Sequence, residues 1–270
     1  MIYRFRMPGK ASPNHSGLIH RRFAGSSGAA LKTPEPDLPQ PGFLEQLVLG
    51  MQEQKQHAVI TGGTGSLGRA LVHALQSKTL SVTSPGSQEL DVRDKSAVEK
   101  YFHNRPVDLL VCAAGITNDA PIARLSEQSW DETWKINYEG SLMCAEAVLP
   151  GMAARCLGHI VFISSFSALH PPVGQIAYAS AKAALLGLVS DLAVRHGPSN
   201  IRVNAALPGF LETAMTASVT NRRRTEILDT HTLGRLNTCE KAADFIRFLH
   251  QEMPHTSGQV FQLDSRLHFW

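Results

Sequence analysis

A chain of 270 residues, 43% of them hydrophobic, fits one large α/β domain or two small ones, with ample apolar content for a single core. Its formal net charge of +3 is too weak to suggest nucleic acid as a partner, and its 12 histidines show no metal-ligand spacing. No apolar run reaches the roughly eighteen residues of a membrane span, and the four cysteines, Cys112, Cys144, Cys156 and Cys239, contain no C-x-x-C pair and read as free thiols of a reducing compartment.

Residues 1–42 differ from the rest. Pro8, Pro13, Pro34, Pro36, Pro39 and Pro41 accompany Arg4, Arg6, Lys10, Arg21, Arg22 and Lys32, with no acid before Glu35. Such a segment buries too little apolar surface to order itself, and it is expected to be a disordered extension of a folded domain spanning 43–270. The first ordered turn is expected near Phe43–Met51. The acid-poor, Arg-rich composition of residues 1–34 also fits a mitochondrial transit peptide, although the prolines spoil a long amphipathic helix. The expected location is the cytoplasm, with the mitochondrion as the alternative.

The folded domain opens with an apolar strand, His57–Thr61, then Gly62-Gly63-Thr64-Gly65-Ser66-Leu67-Gly68, then a segment of helical spacing. Strand, glycine turn and helix are the context of a dinucleotide site. Glycines let the backbone approach a pyrophosphate, and the helix N-terminus offers free N–H groups. Gly62, Thr64, Gly65, Ser66, Leu67 and Gly68 are therefore cofactor candidates. The second strand is expected at Leu80–Thr83. No acid occurs between Gln54 and Gln88, so nothing repels a 2′-phosphate, and Arg69 and Ser84 offer contacts. This favours NADP(H) over NAD(H).

Gln88–Val92 reads as a short third strand with Asp91 at its end, placed to accept from an adenine amino group or to cap the helix after it. The connection before it is too short for a helix. A helix at Ala97–His103 and a fully apolar strand, Val107–Cys112, follow. Ala113-Ala114-Gly115 then lets a flat ring approach the backbone. Ser126–Arg155 is helical, with Asn137 inside it as a poor helix former marking a kink or a relay position. Gly158–Ser164 is a strand that delivers Ser165 at its C-terminal end, where ligands sit in open parallel sheets.

Tyr178 and Lys182 stand four apart on one helix face, and a nearby ammonium is expected to lower the phenol's pKa toward useful acid–base chemistry. Such a pair recurs by chance, and its weight comes from the nucleotide turn upstream. Ile201–Leu207 is the next strand, ending in Pro208-Gly209. Glu212–Asn237, with Arg222, Arg223 and Arg224 in a row, reads as polar, irregular and lid-like. Cys239–Met253 is helical and Gln259–Leu263 is the last strand. Strands alternating with helices imply one Rossmann-like domain: a doubly wound parallel sheet of about seven strands with helices on both faces and right-handed crossovers.

Over about residues 56–266 the sequence resembles the short-chain dehydrogenase/reductases, and most of all their 3-oxoacyl-(acyl carrier) reductase-type branch. The resemblance rests on the glycine turn, Asp91, Ala113-Ala114-Gly115, Gly115-Ile116-Thr117-Asn118-Asp119, Asn137, the Ser165 to Tyr178 separation, Tyr178-x-x-x-Lys182, Pro208-Gly209 and the closing SGQVFQLD. It implies an oxidoreductase interconverting a ketone and a secondary alcohol. Tyr178 would exchange the proton, Lys182 would tune it and hold the nicotinamide ribose, Ser165 would polarise the carbonyl, and Asn137 would hold a relay water. It extends the cofactor set to Asp91, Val92, Ala113, Ala114, Gly115, Tyr178, Lys182, Pro208, Gly209, Leu211 and Thr213. It also implies a homodimer or homotetramer formed through the helices holding Asn137 and Tyr178. Phe166, Ser167, Leu169, His170, Phe210 and the 212–237 segment would line the substrate pocket.

Three departures stand out. The spacing Thr61-Gly62-x-x-Gly65-x-x-Gly68 is that of extended members, the asparagine common before Ala114-Gly115 is missing, and the second crossover helix is shortened. Pro150 and Ser199 stand where carrier-docking basic residues align. The alternatives are a non-catalytic dinucleotide sensor on the same fold and an extended-type sugar-nucleotide reductase. The expected partner is a small carbonyl or alcohol, with no metal, nucleic acid or membrane.

Overall fold

The computed structural model describes residues 55–267. The expected extension, its boundary and the turn near Phe43–Met51 lie outside the described residues. The strands are Gln56–Thr61 (β1), Leu80–Thr83 (β2), Leu109–Cys112 (β3), Gly158–Ile163 (β4), Ile201–Leu207 (β5) and Val260–Gln262 (β6). They form one sheet in the order β2-β1-β3-β4-β5-β6, and each neighbouring pair is parallel. The helices are Ser66–Leu75 (α1), Lys95–Phe102 (α2), Glu127–Trp134 (α3), Gly140–Arg155 (α4), Ile176–His196 (α5), Asn221–Asp229 (α6) and Cys239–Gln251 (α7).

Alternation along the strands builds two cores. Val59, Leu110, Cys112, Ile160 and Phe162 pack with α2, α4 and α5 on one face. Ala58, Ile60, Leu109, Val111, Val161 and Ile163 pack with α1 and α7 on the other. Both faces being covered explains why the strands are apolar runs. By length and composition α5 is apolar enough to cross a membrane. Its Leu185, Val189 and Leu192 are instead spent on the sheet core, and the charged Lys182 is buried beside them.

Three expectations are corrected. Gln88–Val92 is not a strand. Its backbone bonds close locally, with the Glu89 and Leu90 amides donating to Gly86 O (3.0 and 2.9 Å). Leu90 and Val92 are buried as in a strand, which is why the pattern misled, but they plug the core from a loop. Val92 lies against Gly140, where a Cβ would come within 2.7 Å of it. The helix that follows is capped not by Asp91 but by Asp94, whose carboxylate accepts from the Ser96 and Ala97 amides. The 212–237 segment, in turn, is not wholly irregular. It contains α6, capped by Thr220 and braced by ion pairs of Arg222 and Arg223 with Glu226. The expected kink at Asn137 takes the form of a π turn, Lys135–Glu139, between α3 and α4.

At the opposite end of the sheet, His159 of β4 faces His250 of α7, Nδ1 to Nδ1, at 3.3 Å. Asn204 Oδ1 accepts from the Gln259 amide, so its Nδ2 donates to His159 Nε2 (3.2 Å). His159 therefore carries its proton on Nδ1 and donates it to His250. Burial, with Arg202 adding to it, pushes His159 well below its ordinary value and His250 down to about 4. Both are thus neutral in the fold and charge more readily when unfolded. Their stabilisation is complete above about pH 6.5 and is lost as pH falls from there through 4. Thermal melts across this window should show the loss, of the order of 3 kcal/mol for His250, and His250→Gln should remove that share of it.

Candidate active site

All strands are parallel, so their C-terminal ends share one edge of the sheet. Chain order reverses between β1 and β3, the place where an open α/β sheet leaves a crevice. The glycine turn lies there and is packed to contact. Gly62 has φ +70°, and a Cβ on it would stand 2.7 Å from Ala114 Cα. A Cβ on Gly63 would stand 2.3 Å from Ser84 Cβ, and one on Gly68 2.5 Å from Gly62 O. The turn is held to the end of β3 by Thr61 Oγ1, which accepts from the Ala113 and Ala114 amides, both at 3.2 Å. Gly65 is the N-cap of α1, where no side chain caps the helix and no acid occupies the first turn. The amides of Ser66 and Leu67 thus begin a helix whose positive end is left to a ligand. A cradle that any Cβ would fill and an uncapped helix terminus fit a bound pyrophosphate.

Two further cofactor candidates are placed less simply. The Asp91 carboxylate is held by Arg93 (2.8 Å), which lowers its pKa, so it stands ionised as an acceptor. Gly209 (φ +90°) turns sharply after β5, and a Cβ there would meet the Asp264 side chain at 2.8 Å. Leu211 is buried, and Thr213 caps a short 3₁₀ turn by bonding with Thr216.

The structure brings Asn137, Ser165, Tyr178 and Lys182 together. Ser165 follows β4 and hydrogen-bonds the Tyr178 phenol. Lys182 is buried, its Nζ 5.8 Å from the centre of the Tyr178 ring and donating to Ile163 O at 2.9 Å. Ser164 Oγ donates to Lys182 O (2.8 Å) and pins the helix to the strand end. Burial lowers the Lys182 pKa to about 8, against a small opposing pull from Cys112. Tyr178 differs from the expectation. Its ring is only partly shielded at the surface, yet its surroundings are dense enough that burial pushes the phenol up. Ser165 pulls it down and Asp119 pushes it up again. Burial sets the direction.

Asn137 is fully buried. Its Nδ2 donates to Ile116 O (2.9 Å) and Thr133 O (2.8 Å), while Oδ1 has no partner among the described residues. That orphaned oxygen faces Gly115, where a Cβ would lie 2.7 Å from it and 3.5 Å from Lys182 Nζ. A buried acceptor beside a buried ammonium, with only a glycine between them, suits a bridging water.

Sequence reasoning missed the C-terminal clamp. Asp264, with a fully buried side chain, binds Arg266 (Nε 2.7 Å) and lies 3.7 Å from His231 Nε2. Arg266 stands 3.7 Å over the Phe166 ring, which also stacks on His170. His231 and Arg266 pair as an antiparallel bridge. Phe166, expected to line the pocket, is thus fastened from behind. An acid and an arginine two apart near a chain end carry no signal until the fold sets them against Gly209 and Phe166.

The family model for short chain dehydrogenases matches residues 86–224. A 3-oxoacyl-[acyl-carrier-protein] reductase of Thermotoga maritima is 36% identical over 174 residues, 64% of this chain and 70% of that protein. One of Aquifex aeolicus is 32% identical over 212 residues, 76% and 85% of the two chains. A solved structure from Beutenbergia cavernae, described as an NAD(P)-dependent gluconate 5-dehydrogenase with NADP bound at low occupancy, superposes with a TM-score of 0.75. It is 27% identical and covers 78% of this chain and 95% of that one.

Proposed function

The chain belongs to the short-chain dehydrogenase/reductases and is an NAD(P)-dependent ketone/alcohol oxidoreductase, and from this premise we propose roles for its residues. The observation that carries them is the Ser165–Tyr178 hydrogen bond with the buried Lys182 ammonium behind it. Bound nicotinamide supplies the hydride. Tyr178, kept protonated by burial, gives its proton to the carbonyl oxygen as the alcohol forms. Ser165 donates to the same oxygen and stabilises the charge that develops there. Lys182 holds the ribose and, with a water on Asn137 Oδ1, returns a proton to Tyr178. Gly62 to Gly68 and the start of α1 hold the pyrophosphate. Asp91 and Val92 flank the adenine, and Ala113, Ala114, Gly115, Pro208, Gly209, Leu211 and Thr213 line the rest of the cofactor.

NADP(H) is the preferred cofactor in this proposal. Ser84 closes on the glycine turn, and Arg69 donates to Thr64 O, which places its guanidinium at the same turn. Glu89 is the first acid after the turn, and its carboxylate accepts from the Gly86 amide. Initial rates with NADPH and NADH over a panel of ketones and one 3-oxoacyl thioester test reaction class and cofactor together. NADPH is expected to win by about tenfold in kcat/KM, and Arg69→Gln should bring the ratio toward one while leaving NADH rates alone. A panel with no turnover overturns the reading. The thioester belongs in the panel because both bacterial relatives are named for that substrate. A homodimer or homotetramer built on α4 and α5, and a cytoplasmic location, complete the proposal.

A further inference from the structure

The loop leaving β3 is tied to the start of α5 by a polar chain that ends on Ser165. Gln175, the N-cap of α5, donates from Nε2 to Asp119 Oδ2 (2.7 Å) and accepts at Oε1 from Ser167 Oγ (3.0 Å). The Ser167 amide donates to Ser165 Oγ at 3.1 Å. A backbone bond from Ala120 N to Gly174 O (2.9 Å) runs beside the chain and fixes its outer end. Both ends of the Gln175 amide are used, so its orientation is determined and the Asp119 carboxylate is held in place.

Asp119 is exposed, and among the described residues it has no ion-pair partner, Arg124 included. Its charge reaches the Tyr178 phenol, which it pushes up. The guanidiniums of the surrounding segments are already spent: Arg266 on Asp264, Arg224 on Glu212, Arg222 and Arg223 on Glu226. Lys182 points inward to Ile163 O. Beside the Ser165–Tyr178 pair there stands a fixed negative charge with no cation paired to it among the described residues.

We propose that Asp119, fastened by Gln175, is a specificity-determining residue that turns away substrates bearing a free carboxylate close to the carbonyl and leaves the site to neutral ketones, esters and thioesters. The inference rests on the reading of Ser165 and Tyr178 as the carbonyl site. The polar chain sets the Asp119 charge two side chains from Ser165, so a substrate carboxylate one or two carbons from that carbonyl would meet its field, and like charges repel and so discriminate. A hydrogen bond from a neutral amide leaves the charge intact, so Gln175 positions the carboxylate without cancelling it.

The test compares 3-oxobutanoate with its ethyl ester, which differ in charge and share the reacting ketone. The ratio of kcat/KM, ester over acid, is read with NADPH for the wild type, Asp119→Asn and Asp119→Glu. The wild type is expected to favour the ester. Asp119→Asn should cut the ratio about tenfold, mainly by raising the rate on the acid, while Asp119→Glu keeps the preference. A merely structural role would lower both rates and leave the ratio alone. An unchanged ratio in Asp119→Asn overturns this inference only. Failure of the wild type to turn over either probe overturns the carbonyl-site reading and this inference with it.

Discussion

Replacing Tyr178 by phenylalanine is expected to lower kcat about 10³-fold while leaving NADPH affinity near the wild-type value. The substitution removes one oxygen and keeps the ring. That ring stands near Lys182, and the phenol hydrogen-bonds Ser165, so the loss falls on proton donation and not on packing. Stopped-flow turnover of a ketone reports kcat, and quenching of protein fluorescence by NADPH reports binding. The direction of the pKa shift sharpens the expectation. Because burial raises the phenol's pKa, wild-type reduction should not be limited by loss of that proton at neutral pH, and any alkaline decline should begin well above it. A variant that reduced ketones at the wild-type rate would place the proton donor elsewhere.

Gly63→Ala should have the second largest effect. The added Cβ would stand 2.3 Å from Ser84 Cβ and 2.6 Å from Ser84 O, and part of that obstacle is backbone. The turn must open or β2 must move, at an overpacking cost of about 1–3 kcal/mol. Paid as a distorted cradle, that cost weakens dinucleotide binding by roughly ten- to a hundredfold. Isothermal titration with NADPH and a thermal melt separate the two routes. Gly187→Ala is the control. It lies in α5, a Cβ there meets nothing within 4 Å, and helix propensity alone predicts a neutral or slightly stabilising change. Equal losses in the two variants would refute the steric argument.

How far the site was legible follows from which contacts are local. Strand, glycine turn and helix follow one another along the chain, and so do Ser165 after β4 and Tyr178 with Lys182 on α5. The spacing in each case is a property of one or two adjoining elements. Asn137 was visible only as a poor helix former. The fold explains it: a π turn points its amide at two carbonyls and leaves one oxygen without a partner among the described residues, beside Lys182. The 212–237 segment was misjudged because polar composition hid the Thr220 cap and the spacing of Arg222 and Arg223 to Glu226.

By itself the sequence determined the covered parallel sheet and the strand, glycine turn and helix that open it, because period and spacing encode them directly, while the serine, tyrosine and lysine were singled out by resemblance. The tertiary structure decided what depends on neighbours distant in sequence. Gln88–Val92 failed to be a strand because a strand needs a partner and its amides found one within their own turn. Tyr178 is pushed up because burial, which is a property of the assembled site, outweighs the hydrogen bond from Ser165. Asp264 and Arg266 came to brace Gly209 and Phe166, and Gln175 to hold Asp119, because the parallel strands deliver their C-terminal ends to one edge.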